Sequence, residues 1–167
     1  MILLIGYGNS LRRDDGAGLI LAERLDHAWR GQGVAVKHLP VHQLTPELAA
    51  EMAEPEIDAV IFVDARAIAA GEVDPQVQVQ PVNGESPSPS LGHHLNPVAL
   101  LLYADQLFGR RPSAWLVTVP AADFGYGEGL SQITQQALAS AQTLPAELLA
   151  RLQIPDVIES DTCHHRR

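Results

Sequence analysis

The chain has 167 residues, 46% hydrophobic and 19% charged, which suits one domain with a core that needs neither disulfide nor structural metal. Twenty acids against eleven bases leave a net charge of −9, and aromatics are only 5%, so a nucleic-acid partner is excluded. Cys163 is the sole cysteine, and no apolar stretch reaches the ~18 residues of a membrane span, which excludes disulfide frameworks, cysteine-rich metal sites and membrane helices.

Ile2–Ile5 is continuously apolar and stops at Gly6, the pattern of a strand buried on both faces. Leu19, Ile20, Ala22, Leu25 and Trp29 then recur at helical spacing until Gly31 and Gly33 end the helix. Val34–Leu39 is predicted as a second strand. Thr45 reads as an N-cap with Pro46 at the first helical position, opening a short helix through Met52. Ala59–Val63 is a third buried strand, ending at Asp64. Val77 and Val79 alternate with Gln76, Gln78 and Gln80, the period of a strand with one wet face. Asn83–Gly92 is rich in Pro, Ser and Gly and reads as a loop. Asn96-Pro97 repeats the cap-then-proline pattern and opens a helix through Leu107 that Gly109 closes. Ala114–Val119 is another buried strand, and helical patterns return over Gly129–Gln142 and Pro145–Leu152. This alternation predicts a three-layer α/β/α fold, a mainly parallel twisted sheet with helices on both faces. The expectation is a single domain over residues 1–154, cytoplasmic and monomeric, with a polar, disordered tail over 155–167.

In open parallel sheets ligands collect outside the carboxyl ends of the strands. The residues following the predicted strands there are Gly6–Gly18, Val41-His42-Gln43, Asp64-Ala65-Arg66 and, after the long loop, His93-His94. Each has an ordinary reading: Asp14 or Asp15 as a helix cap, Asp64 as a turn former, the histidines as loop residues. Their convergence on one rim favours a site, because two carboxylates and an imidazole suit a borderline divalent cation such as zinc or nickel. The Gly6-x-Gly8 pair fails as a dinucleotide fingerprint. Leu11 stands where its third glycine belongs, and Asp14 and Asp15 would repel a pyrophosphate. Cys163-His164-His165 has ligand residue types but lies in the polar tail.

The stretch Gly6-x-Gly8-Asn9-x-Leu11-x-x-Asp14-Asp15-Gly16-x-Gly18 resembles the opening motif of the hydrogenase maturation endopeptidases. Those enzymes remove a C-terminal peptide from the large subunit of NiFe hydrogenase after nickel insertion. The likeness continues through Phe62-Val63-Asp64-Ala65, His93-x-Leu95-x-Pro97 with its leucine-rich helix, Gly109-x-x-Pro112 and Gly129-Leu130-Ser131. The resemblance implies that Asp15, Asp64 and His93 are the catalytic and metal-contacting residues, with His94 the runner-up and Asp14 left to the helix start. It implies the large-subunit precursor as partner, nickel supplied by that substrate, and no organic cofactor. Val41-His42-Gln43-Leu44 stands where many members carry glycines, and looks like the subgroup serving NAD-linked bidirectional hydrogenases. His42 then lies near the rim, as a substrate contact or as an exposed loop histidine. Two hydrolytic routes stay open: nickel activation of carbonyl or water, and a carboxylate acting as general base. No His-Glu-x-x-His motif and no Gly-x-Ser-x-Gly elbow is present. A non-proteolytic metal-binding assembly chaperone and a flavodoxin-like nucleotide-binding domain are the readings from other classes. The ligand side chains are expected to be solvent-accessible, and the loop before His93, with Pro87 and Pro89, to govern approach to the site.

Overall fold

Continuous burial of Ile2–Ile5 places the first strand, β1 (Ile2–Tyr7), inside the sheet with a neighbour on each side. The computed structural model describes residues 1–83 and 95–153. After β1 come a single 3₁₀ turn at Arg13–Gly16, α1 (Ala17–Gly31), β2 (Val36–Val41), α2 (Leu48–Met52), β3 (Ala59–Ala67) and β4 (Gln78–Pro81). The chain then forms α3 (Pro97–Phe108), β5 (Ser113–Ala121), α4 (Gln132–Ala139) and α5 (Leu144–Arg151). The five strands are ordered β2-β1-β3-β5-β4, all parallel except β4, which runs antiparallel to β5. Leu25 and Trp29 of α1, Leu138 of α4 and Leu148 of α5 pack with Ile2, Leu4, Ile61 and Val117 on one face. Leu48 and Met52 of α2 and Leu100 and Leu101 of α3 pack with Leu3, Ile5, Val60 and Phe62 on the other. The architecture is the predicted three-layer α/β/α sheet.

The element boundaries differ from the sequence expectation for local reasons. β2 begins at Val36 and not Val34, because the Val34 N–H turns back to the Trp29 carbonyl (2.9 Å) and closes α1. α2 begins at Leu48; Thr45-Pro46-Glu47 form a turn whose carbonyls accept from N–H groups three residues on, so Thr45 is not the cap. β3 runs on past Val63 to Ala67, since β5 keeps pairing with it, Ala67 opposite Ala121, after β1 has peeled away at Gly6–Val63. Asp64 therefore lies inside a strand and is not a turn residue. α4 is shorter than its pattern, starting after Ser131 and ending at Ala139. The α3 expectation agrees closely: the Asn96 side chain accepts from the Ala99 N–H (2.8 Å), and Gly109 closes the helix in the left-handed conformation.

The connection through α1 leads from β1 to β2 on one side, whereas β3 lies on the other side of β1, with α1 and α2 on opposite faces. The β1–β3 boundary is thus the topological switch point, where a crevice opens beyond the strand ends. α1 lies unusually close to the sheet beside it. A Cβ on Gly18 would stand 2.7 Å from the Val63 carbonyl oxygen and 2.9 Å from the Asp64 Cα, and one on Gly6 would stand 2.6 Å from the Ala22 Cβ. Because the Gly18 obstacle is backbone, Gly18→Ala must push helix and strand apart. We expect it to cost about 1–3 kcal/mol in urea unfolding, as overpacking does. A variant unfolding at the parent urea concentration would show that the close approach is slack.

Candidate functional site

Asp15 and Asp64 meet at the switch point, each delivered by a different device. Gly8 has a φ of +144°, and a Cβ there would fall 2.0 Å from the Asp15 carbonyl oxygen. Only glycine lets the chain turn back over the 3₁₀ turn at this point. The turn directs the Asn9 N–H at the Asp15 carboxylate (2.8 Å), while the Asn9 side chain accepts from the Leu11 N–H (3.0 Å). Asp64 shares a strand face with Val60 and Phe62, and Tyr7 shares the corresponding face of β1 with Leu3 and Ile5. The Tyr7 hydroxyl donates to the Asp64 carboxylate, whose Oδ1 also accepts from the Ala65 N–H (2.8 Å). Both aspartates are half-buried.

Burial pushes the Asp64 carboxyl up to about 7. The Ala65 N–H and the Tyr7 hydroxyl pull the other way, and the neighbouring Asp15 charge adds to the rise. Burial likewise raises Tyr7 well above the ordinary tyrosine range, reinforced by the charge and hydrogen bond of Asp64. The phenol therefore stays protonated and serves Asp64 as a fixed donor. A carboxyl that titrates near neutrality beside a second carboxylate can take up and return a proton, and the pair supplies oxygen donors to a cation.

Asp14 is the main correction. The sequence reading left it to the start of α1, yet α1 has no side-chain cap and Asp14 is completely buried. Its Oδ2 accepts from the N–H groups of Ala122 (2.8 Å) and Asp123 (2.9 Å) and from the Ser131 hydroxyl (2.6 Å), and its Oδ1 from the Ser131 N–H (2.7 Å). Burial alone would raise its pKa; the Ser131, Ala122 and Asp123 donors outweigh burial and hold it below the usual carboxylate range. Asp14 thus ties the opening motif to the β5–α4 loop. The Ser131 Oγ completes the tie by accepting from the Thr134 N–H as the cap of α4.

His93 and His94, the two candidates for the third ligand, lie outside the described residues, as do the Pro87–Pro89 segment and Cys163-His164-His165. Among the described residues no three His, Cys, Asp or Glu side chains cluster closely enough to hold a metal ion. His42 is exposed and lines a groove of about 470 Å³ with Gly8, Asn9 and Pro40, beside Asp15 but apart from Asp64. Sequence reasoning missed Tyr7. The period of two along β1 puts Tyr7 with Leu3 and Ile5, but the register that sets it beside Asp64 belongs to the β1–β3 pairing.

Fold and site together define an α/β protein with an acidic pair in the switch-point crevice. No protein-family model and no curated protein matches the sequence. Solved structures do. The chain is similar to the hydrogenase maturating endopeptidase HybD from Escherichia coli, with 22% identity over 91% of each chain and a TM-score of 0.63. It is similar to the NiFe hydrogenase maturation protease HycI from Thermococcus kodakarensis, with 21% identity over 90% of each chain and a TM-score of 0.60. An endopeptidase from Escherichia coli solved in solution gives 23% identity over 91% of each chain and a TM-score of 0.62. The chain has the fold of these hydrogenase maturation proteases.

The two neighbouring aspartates of the opening motif differ in kind, and substitution separates them. Asp14→Ala leaves buried donors of Ala122, Asp123 and Ser131 without an acceptor and should cost about 3 kcal/mol in urea unfolding. Asp15→Asn should change stability little. Equal unfolding midpoints for the two variants would refute the assignment of Asp14 as a structural tie.

Asp64 has a pH signature. Its folded pKa lies above the unfolded value, so its contribution favours the folded state below the unfolded pKa and is lost as pH rises through about 7. Asp64→Asn removes that titration. Relative to the parent, the variant should gain thermal stability at about pH 8 and show no gain at about pH 4, read as the difference in Tm at each pH. A difference independent of pH would show that folding does not shift the Asp64 pKa.

Proposed function

We propose that the chain is an endopeptidase that removes the C-terminal peptide of a NiFe hydrogenase large-subunit precursor after nickel insertion. The observation that carries this reading is the pairing of Asp15 with a half-buried Asp64, whose carboxyl is pushed up to about 7, at the switch point of a fold shared with hydrogenase maturation proteases. In this reading the precursor brings nickel as part of the substrate. Asp15 and Asp64 offer it oxygen donors, His93 is the third ligand, and the protein needs no organic cofactor. Holding the substrate's ion holds the adjacent peptide bond at the crevice, which supplies proximity. When ionised, the Asp64 carboxylate takes a proton from the attacking water and returns it to the leaving amine. The Tyr7 hydroxyl and Ala65 N–H fix its orientation throughout. We further propose a cytoplasmic monomer; no helix among the described residues is long and apolar enough to cross a membrane. The subgroup serving NAD-linked bidirectional hydrogenases is proposed on Val41-His42-Gln43-Leu44 alone.

The decisive experiment incubates the protein with nickel-loaded precursor and follows the precursor by mass. The expected result is loss of a C-terminal peptide with the parent and no loss with Asp15→Asn, Asp64→Asn or His93→Ala. Parent-like processing by any one variant removes that residue from the site. A stable complex without cleavage would point to an assembly chaperone instead.

A further inference from the structure

β2 is the terminal strand of the sheet, and among the described residues its outer edge is open. The Ile2 N–H bonds the Ala35 carbonyl (3.0 Å) and the Gly8 N–H bonds the Val41 carbonyl (3.3 Å). Odd-numbered residues of β2 therefore turn their backbone groups to β1, and the even-numbered Val36, His38 and Pro40 turn theirs outward. The outward Val36 carbonyl is already taken by Arg30 Nη2 (2.8 Å). Pro40 has no N–H to offer. What remains is a donor at Val36, one complete donor–acceptor pair at His38 and one further acceptor at Pro40. That is too short an edge for runaway self-pairing and long enough to seat a short extended peptide.

Two adjoining cavities lie beside His38 and Pro40 of this strand, where α1 faces it. One, of about 590 Å³, is lined by Leu19 and Ile20 of α1 and by His38 and Pro40 of β2. The other is the 470 Å³ groove at His42, and both are walled by Ser10, Leu19 and Pro40. The His38 side chain forms part of the wall, with its Nε2 buried. Its Nδ1 faces Asp26 at 3.6 Å, and its Nε2 has no partner among the described residues. The continuous groove leads from mid-strand to Asn9, whose N–H holds Asp15. The strand edge thus leads to the residue that holds Asp15.

We propose that an extended segment of the precursor docks here as an added strand beside β2, exchanging backbone hydrogen bonds with His38 and donating to the Pro40 carbonyl. This inference rests on the endopeptidase reading and names how that enzyme holds its substrate. Strand addition draws affinity from the main chain and selectivity from the alternate side chains that enter the groove over Leu19 and Ile20. A segment so aligned, continuing beyond Val41, arrives at Asn9, whose N–H holds Asp15. The edge strand is then a guide that delivers the scissile region.

The test is amide exchange, residue by residue, on the Asp64→Asn chain with and without nickel-loaded precursor. The His38 amide should gain protection in the complex, whereas the Lys37 and Leu39 amides, already turned to β1, should not change. In parallel, His38→Pro removes the outward N–H and should raise KM for the precursor about tenfold at unchanged kcat. An unprotected His38 amide in a complex whose precursor the parent cleaves would overturn the docking edge and leave the endopeptidase reading standing. Failure of the parent chain to bind or cleave the precursor would overturn both. If His38→Pro does not fold, the exchange pattern of the complex decides alone.

Discussion

The close approach of α1 to the sheet is the constraint on which the rest depends. Gly6 and Gly18 remove the two Cβ atoms that would hold helix and strands apart, and Ala22 fills the space left at Gly6. With the helix seated this deeply, Ala17, Leu21, Leu25 and Trp29 are all buried against the sheet, and the Trp29 indole N–H reaches the Pro145 carbonyl (3.0 Å) to tie α1 to α5. The same approach sets the height of the 3₁₀ turn ahead of α1. Asp15 is carried by that turn, and Asp64 by the backbone that Gly18 touches, so one packing contact positions both acids. Glycine spacing that looks like a phosphate-binding loop serves a different end here: it brings backbone to backbone, and a carboxylate stands where a phosphate would need open N–H groups.

Asp14, Asp15 and Asp64 show how environment divides roles among chemically identical side chains. Asp14 is fully buried but meets enough donors to stay charged, so its negative charge is spent inside the protein as a tie between loops. Asp64 also accepts hydrogen bonds, yet burial outweighs them and its proton is held until about pH 7. More donors converge on Asp14, backbone N–H groups of three residues and a hydroxyl, against one N–H and one phenol on Asp64, which also feels the Asp15 charge. An undersatisfied carboxylate at a switch point is poorly suited to stability and well suited to binding a cation or moving a proton.

Much of this was legible in the chain. Burial on both faces announces itself as an uninterrupted apolar run, so β1, the start of β3 and β5 were plain, and with them the parallel three-layer sheet. Asn96-Pro97 and Gly109 delimit α3 because caps act locally. What escaped was set by pairing between distant segments. β3 extends past Val63 only because β5 continues beside it, and Tyr7 meets Asp64 only through the β1–β3 register. Asp14 looked like a helix cap because a sequence shows the helix that follows and not the β5–α4 loop that folds over it. The family resemblance includes the motifs of Asp14 and of Ser131 without linking them; the short Ser131 Oγ–Asp14 hydrogen bond of 2.6 Å joins the two.

On the proposed reading, the openness of the site becomes intelligible. A protease with one target must reject every other chain, and two half-buried carboxylates at a crevice cannot do so by shape. Selectivity can instead come from two weak requirements met at once, a metal carried by the substrate and a strand laid along β2. Neither requirement needs to be strong. Each raises the effective concentration of the other, so joint affinity grows while either interaction alone stays weak enough for release. Pro40 fits this logic: by limiting the free edge to the neighbourhood of His38, it keeps strand addition too feeble to capture arbitrary peptides. A deep, preformed pocket would bind more tightly and discriminate less, because it would hold any chain that fits, whether or not the metal had arrived.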